Sequence, residues 1–141
     1  MAGTDYKLEL LRKVPLFQGL GHKDLELIGR LTDEIDVPAD KLLIKEGDFG
    51  HEFFIVVEGA LRVERDAKLL RKLGPGDFAG EIALIDGGTR TATVTADVPS
   101  RLLVVGHREF ISLLSHQPDI QIQVLQALAH RVRASEPAGV H

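Results

Sequence analysis

A glycine, an acid and an arginine at short spacing carry the sharpest chemical signal in this chain. Residues 76–94 read Gly-Asp-Phe-Ala-Gly-Glu-Ile-Ala-Leu-Ile-Asp-Gly-Gly-Thr-Arg-Thr-Ala-Thr-Val. Gly80 lets backbone approach a ligand closely. The N–H groups of Glu81, Ile82 and Ala83 would be the unpaired donors of a short helix N-terminus, an arrangement that suits a phosphate. Arg90 can add a charge-assisted pair to the same anion. Glu81 has the wrong sign for phosphate, so its role would be to accept a hydrogen bond from a sugar hydroxyl. Together these groups describe a nucleotide with a single, ring-held phosphate. The same residues also allow a plain surface ion pair between Glu81 and Arg90, worth about 0–1 kcal/mol. Spacing alone does not choose between the two.

The flanking sequence supplies the elements that must hold these groups. Leu8, Leu11 and Val14 have helical spacing, Pro15 interrupts with room for one tight helical turn, and a second helix is expected from about His22 to Leu31, with Leu25, Ile28 and Leu31 on one face. From Ile35 to Gly106 the apolar runs become short and punctuated. Strands are expected at 32–37, 41–45, 52–58, 60–65, 68–73, 91–96 and 100–105. Turn residues separate them, including Pro38-Ala39-Asp40, Arg65-Asp66-Ala67 and Gly74-Pro75-Gly76-Asp77. Many short strands at this spacing point to an all-β sandwich or barrel, and the flanking helices make the fold α+β. Residues 107–116 read as a helix with Phe110, Leu113 and Leu114 inward. Pro118 then opens a longer helix to about Arg133, with Val124, Leu125, Leu128 and Val132 as one stripe. Residues 134–141 read as a frayed tail, and the whole of 1–141 as a single domain.

The segment from Gly80 resembles the phosphate-binding cassette of the cyclic-nucleotide-binding domain family. That family's pattern is Gly-Glu, two apolar positions, Leu, a short loop, then Arg-Ser/Thr/Ala-Ala. This sequence supplies Gly80, Glu81, Ile82, Ala83, Leu84, Arg90, Thr91 and Ala92 in that order. Upstream, Glu46-Gly47-Asp48, Phe53-Phe54-Ile55-Val56 and Gly59-Ala60-Leu61 resemble the family's glycine-marked turn and hairpin. The likeness runs from about residue 14 to 133. It implies an antiparallel, jelly-roll-like β-roll of about eight strands with N-terminal helices, a short phosphate-binding helix and two C-terminal helices.

The same resemblance implies roles. Glu81 would hold the ribose 2′-hydroxyl, Arg90 the exocyclic phosphate oxygens, and the amides of Ile82 and Ala83 phosphate or ribose. Thr91 would reach phosphate or base. Val63 and either Leu70 or Arg71 are candidates for packing beside the base, against the alternative of ordinary core residues. The implied ligand is cAMP, with cGMP as the alternative because Thr91 suits both, and no further cofactor is expected. One departure is Ala79, where many members carry an aromatic; Phe78 sits one residue earlier. The last helix has no aromatic to close over a base. Leu125, Leu128, Val132, Arg131 or Arg133 would have to do so, unless the stripe is a dimer seam or packs on its own domain.

Enzyme chemistry finds no foothold. The histidines at 22, 51, 107, 116, 130 and 141 never take the spacing of a cupin-type or His-Glu-x-x-His metal site. No Gly-x-Ser-x-Gly elbow exists, Gly74-Pro75-Gly76 lacks the Gly-Lys-Ser/Thr of a P-loop, and there is no cysteine. A net charge of -4 argues against broad electrostatic binding to nucleic acid or anionic lipid. No stretch is apolar enough to span a membrane, and residues 1–11 do not form a signal peptide. With so few residues after Arg133, no DNA-binding helix-turn-helix is expected in this sequence. The expectation is a cytoplasmic, non-catalytic sensor of a cyclic nucleotide that acts through an unidentified protein partner or a homodimer formed by its last helix. The alternative is a ligand-independent interaction module on the same fold.

Overall fold

The structure is a computed structural model and describes residues 2–80 and 88–135. Among these, the chain divides into two compact units. One, Arg30–Ser112, is built on β-strands; the other takes the residues up to Gly29 and those from Leu113.

The β-unit contains β1 (Asp33–Val37), β2 (Leu42–Ile44), β3 (Glu52–Glu58), β4 (Leu61–Arg65), β5 (Lys68–Leu73), β6 (Phe78–Ala79), β7 (Thr93–Ala96) and β8 (Ser100–Gly106). They form two four-stranded antiparallel sheets, ordered β1-β8-β3-β6 and β2-β7-β4-β5. The expected α+β β-roll of about eight strands is therefore present. Between the sheets lies an apolar core. Val37, Phe54, Val56, Ala79, Leu102 and Val104 come from the first sheet; Ile44, Leu61, Val63, Leu73, Val94 and Ala96 come from the second.

Sequence pattern explains how the two sheets differ. In β4, Leu61 and Val63 are buried while the alternate residues Arg62 and Glu64 are not, the period of two of a strand with one face in the core. In β3 and β8 the apolar runs are nearly continuous, and both faces are buried: Phe53, Ile55, Leu103 and Val105 are as inaccessible as their neighbours in the core. β5 is an edge strand whose residues 68–72 are all exposed, with Lys68, Arg71 and Lys72 among them. Charge on an edge discourages unwanted pairing with another sheet.

Boundaries shifted where the ladder ends. The strand expected at 91–96 begins at Thr93, with Thr91 and Ala92 in a bend. β6, of two residues, was not expected, because a segment that short shows no periodicity. It pairs Ala79 with Phe54 and Phe78 with Ile55.

In the helical unit, α1 (Ala2–Arg12) is followed by a 3-10 turn (Pro15–Phe17) at the expected break and by α2 (His22–Gly29). Leu11, Val14, Leu16, Phe17, Leu25 and Ile28 are fully buried. α2 stops at Gly29, so Leu31 lies beyond its end. α3 (His107–His116) crosses the boundary between the units, and α4 (Pro118–Ser135) follows. The single stripe expected on α4 splits in two. Ile120 and Val124 are buried, whereas Ile122, Leu125 and Val132 are 54%, 63% and 60% exposed. The reason is angular: Val124 and Leu125 are adjacent, about 100° apart on a helix of 3.6 residues per turn.

Arg62, on the outer face of β4, ties the turns at one end of the second sheet. It donates to Asp40 Oδ1 at 3.0 Å and to the Ala96 carbonyl and Asp97 Oδ1 at 3.3 Å each. Lys72 approaches Asp97 at 3.2 Å. The Lys72 hydrogen bond, with Arg62 beside it, holds the Asp97 carboxyl below its ordinary range. A depressed folded-state pKa adds stability above the unfolded value and loses it as pH falls through the folded one. Acid titration of thermal stability is thus expected to show a shallower loss below about pH 4 in Asp97→Asn than in wild type. Parallel acid limbs would remove this role.

The β4–β5 turn offers a second test. Arg65 pairs with Lys68, leaving Asp66 and Ala67 as a two-residue loop with φ of 52° and 64°. That is the left-handed hairpin turn, which favours glycine or Asn/Asp. Ala67 bears the cost of a Cβ there, so Ala67→Gly is expected to stabilise the fold by about 0.5–1 kcal/mol in denaturant melts.

Candidate functional site

Glu81, Ile82 and Ala83, and the short phosphate-binding helix expected on them, lie outside the described residues, as does the Arg131 side chain. The two ends of the cassette, Gly80 and residues 88–92, are described, and they converge. Gly80 has φ of +84°, a conformation that favours glycine. A Cβ built there would lie 3.0 Å from the Glu52 carbonyl oxygen and 3.3 Å from Arg90 Cζ. Gly80 therefore serves two needs at once: a left-handed backbone and space for the arginine.

Arg90 is held along its backbone as well as at its side chain. Its N–H donates to Asp48 O at 2.7 Å, and its carbonyl accepts from Gly47 N–H at 2.9 Å. Gly50 N–H donates to Gly88 O at 2.7 Å, so residues 47–50 and 88–90 form a short antiparallel clasp centred on the Phe49–Thr89 bridge. Alternation along an extended segment sends Thr89 and Arg90 to opposite faces. The Arg90 guanidinium donates through Nη2 to the Glu52 carbonyl at the start of β3. A cation fixed beside a glycine with left-handed φ is equipped to receive a compact anion.

The remaining expected residues distribute unevenly. Thr91 is exposed, and its carbonyl accepts from Arg65 Nε at 2.8 Å. Val63 is buried in the core opposite Val94 on β7. Arg71 pairs with Val63 and is exposed. Leu70 is the extra residue of a β-bulge, because Val63 pairs with Arg71 while Glu64 pairs with Leu69; it is 51% exposed. The Ala79 departure is absorbed by packing. Ala79 enters the core, and Phe78 turns to the other face, where its ring meets Phe53 edge-on at 6.0 Å.

Sequence reasoning missed the partners that immobilise Arg90. Glu46-Gly47-Asp48 was read as a turn, with no signal that it would bond residue 90. The Glu52 carbonyl left no trace in residue type. Among the described residues, no group of three or more His, Cys, Asp or Glu could hold a metal ion, and no helix is long and apolar enough to cross a membrane.

Two antiparallel sheets around one core, with an arginine clasped beside a left-handed glycine, define a small β-roll binding domain. The chain belongs to the cyclic nucleotide-binding domain family, whose sequence profile matches residues 34–117. The N-terminal domain of a transcriptional regulator from Streptomyces coelicolor superimposes with a TM-score of 0.85 at 31% identity, covering 94% of this chain and 96% of that one. The regulatory domain of Toxoplasma gondii PKA, solved with cAMP, matches with a TM-score of 0.73 at 32% identity, over 79% of this chain and 44% of that one. A CRP-like cAMP-activated global transcriptional regulator of Mycobacterium tuberculosis is 28% identical over 130 residues, which are 89% of this chain and 58% of the relative. The chain thus spans a little over half the length of that regulator.

The clasp predicts the behaviour of Gly80→Ala. The added Cβ meets both the Glu52 carbonyl and the guanidinium, in a backbone region unfavourable to alanine. The variant is expected to lose about 1–3 kcal/mol of stability in chemical denaturation. Wild-type stability would show that the turn at Gly80 does not need glycine.

Proposed function

We propose that this chain is a cytoplasmic sensor that binds cAMP at the cassette, with cGMP as the competing nucleotide. The observation that carries the reading is Arg90: family membership sets the ligand class, and the clasp supplies a pre-positioned cation for its phosphate. In this reading Arg90 pairs with the exocyclic oxygens, and the amides of Ile82 and Ala83 complete the phosphate site. Glu81 accepts from the ribose 2′-hydroxyl. Pre-organisation matters because an arginine already ordered loses little further entropy on binding. Thr91, exposed and adjacent to Arg90, is the candidate for a hydroxyl contact to phosphate or base. Val63, inside the core, and Leu70, at the bulge, are the candidates for packing beside the base.

The output would be a population shift in which ligand favours one packing of the C-terminal helices. The apolar residues exposed on α4 support that role, since Ile122, Leu125 and Val132 offer contact area to a protein partner or a second copy. The domain would regulate and not catalyse, and would not itself bind nucleic acid. The same exposed face also suits a ligand-independent interaction module, and the nucleotide titration separates the two readings.

Calorimetric titration with cAMP and cGMP is expected to show saturable binding, tighter for cAMP. At a hundredfold excess over Kd, ligand should add about 2.7 kcal/mol of apparent stability, seen as a raised Tm. Arg90→Ala is expected to abolish binding while leaving the Tm of the free protein largely unchanged. Absence of saturation at millimolar nucleotide would overturn the reading, as would normal binding by Arg90→Ala.

A further inference from the structure

We propose that Arg65, at the tip of the β4–β5 hairpin, is a positioning residue for Arg90 and so sets affinity for the anionic ligand. This rests on the reading of Arg90 as the phosphate-holding group. The β4–β7 ladder runs from Leu61↔Ala96 to Glu64↔Thr93 and stops there. Beyond it, the left-handed residues Asp66 and Ala67 turn the chain into β5, and Thr91 and Ala92 form a bend outside any strand. That ladder therefore ends at Thr93, with Thr91 and Ala92 between it and Arg90. The Arg65 side chain bridges that gap, donating Nε–H to the Thr91 carbonyl at 2.8 Å.

A second tie runs parallel to the first. Glu46 Oε1 accepts from the Asp66 N–H at 3.3 Å, and the Glu46 N–H donates to Thr93 Oγ1 at 3.1 Å. Glu46 adjoins Gly47, whose N–H bonds the Arg90 carbonyl. The hairpin tip thus holds both strands of the clasp, one through Arg65 and Thr91, the other through Asp66 and Glu46. Arg65 acts one residue away from the cation that would meet the ligand. Its charge-assisted bond to a neutral carbonyl fixes direction as well as distance. Removing it leaves Thr91 without that side-chain tie, with Ala92 still packed on the core, so Arg90 would sample more orientations before binding.

The test uses the whole chain, with cAMP as the probe. In ligand-free Arg65→Ala, amide exchange at Gly47 and Arg90 is expected to speed up by about tenfold, with the β3–β8 ladder amides and the Tm unchanged. Affinity for cAMP is expected to fall by about threefold to tenfold. Arg65→Lys keeps the charge but replaces the fixed Nε–H, and should recover only part of both effects. If Arg65 acted instead by long-range attraction of the ligand, its removal would lower affinity without touching exchange in the free protein. Exchange at Gly47 and Arg90 equal to wild type overturns the proposal, as does unchanged affinity beside wild-type binding. If wild type itself takes no cyclic nucleotide, the binding reading fails, and the exchange rates alone decide whether Arg65 orders Arg90.

Discussion

The placing of the Arg90 guanidinium is the constraint on which the candidate site depends, and the described part of the clasp supplies it through backbone. Asp48 and Gly47 bond its main chain, and the Glu52 carbonyl receives its side chain. A carbonyl orients a guanidinium but carries no net charge, so this contact does not itself cancel the cation's charge. A carboxylate in the same place would have to be displaced or would repel the ligand. The glycine at position 80 answers the same demand, because a side chain there would take the space the guanidinium fills.

That clasp needs a stiff base, and the two sheets provide it in different ways. The first sheet is buried on both faces at its centre, with Phe53, Ile55, Leu103 and Val105 inaccessible on one side and Phe54, Val56, Leu102 and Val104 on the other. Glu52, whose carbonyl receives Arg90, opens one of these central strands. The second sheet is half-wet: β4 alternates, β5 is exposed, and ion pairs around Arg62 bind its turns. Exposed ion pairs are individually weak. Their value lies in number and in linking segments remote in sequence, as Arg62 does between Asp40 and Asp97. The rigid sheet anchors the guanidinium, while the more open one carries the bend at Thr91 and the hairpin that ties it.

Legibility in the sequence followed the range of the interaction. The strands and helices were readable because burial leaves a period of two or 3.6 in residue type, and Pro15, Pro118 and the hairpin turn left local marks. Gly80 and Arg90 stood out because a phosphate-binding reading restricts residue type, and the structure brings the two together. The partners of Arg90 were not, since any residue can offer a backbone carbonyl or N–H. β6 escaped because two residues have no period, and Leu70 because a bulge follows from the pairing register of two strands. On α4 the expected stripe omitted the buried Ile120 and grouped residues that separate. Val124 and Leu125 look like one stripe until the helix angle puts the first inside and the second in solvent.

The geometry also separates affinity from discrimination. Cyclic purine nucleotides share phosphate and ribose, so under the proposed reading Arg90, Gly80 and the clasp would bind cAMP and cGMP alike and would not by themselves distinguish them. Selectivity must come from groups that face the base, and it gains most where a polar group would be left unpaired by the wrong purine. Of the residues considered for that end, Val63 is apolar and committed to the core, and Leu70 is apolar and half-exposed. Thr91 is polar and exposed, immediately follows Arg90, and has its carbonyl fixed by Arg65. Fixing that carbonyl restricts the backbone from which the Thr91 hydroxyl projects. If Arg90 meets the phosphate as proposed, the Arg65 bond to the Thr91 carbonyl would bear on both the cation and the neighbouring group that could sense the base, linking the two ends of the site through one hydrogen bond.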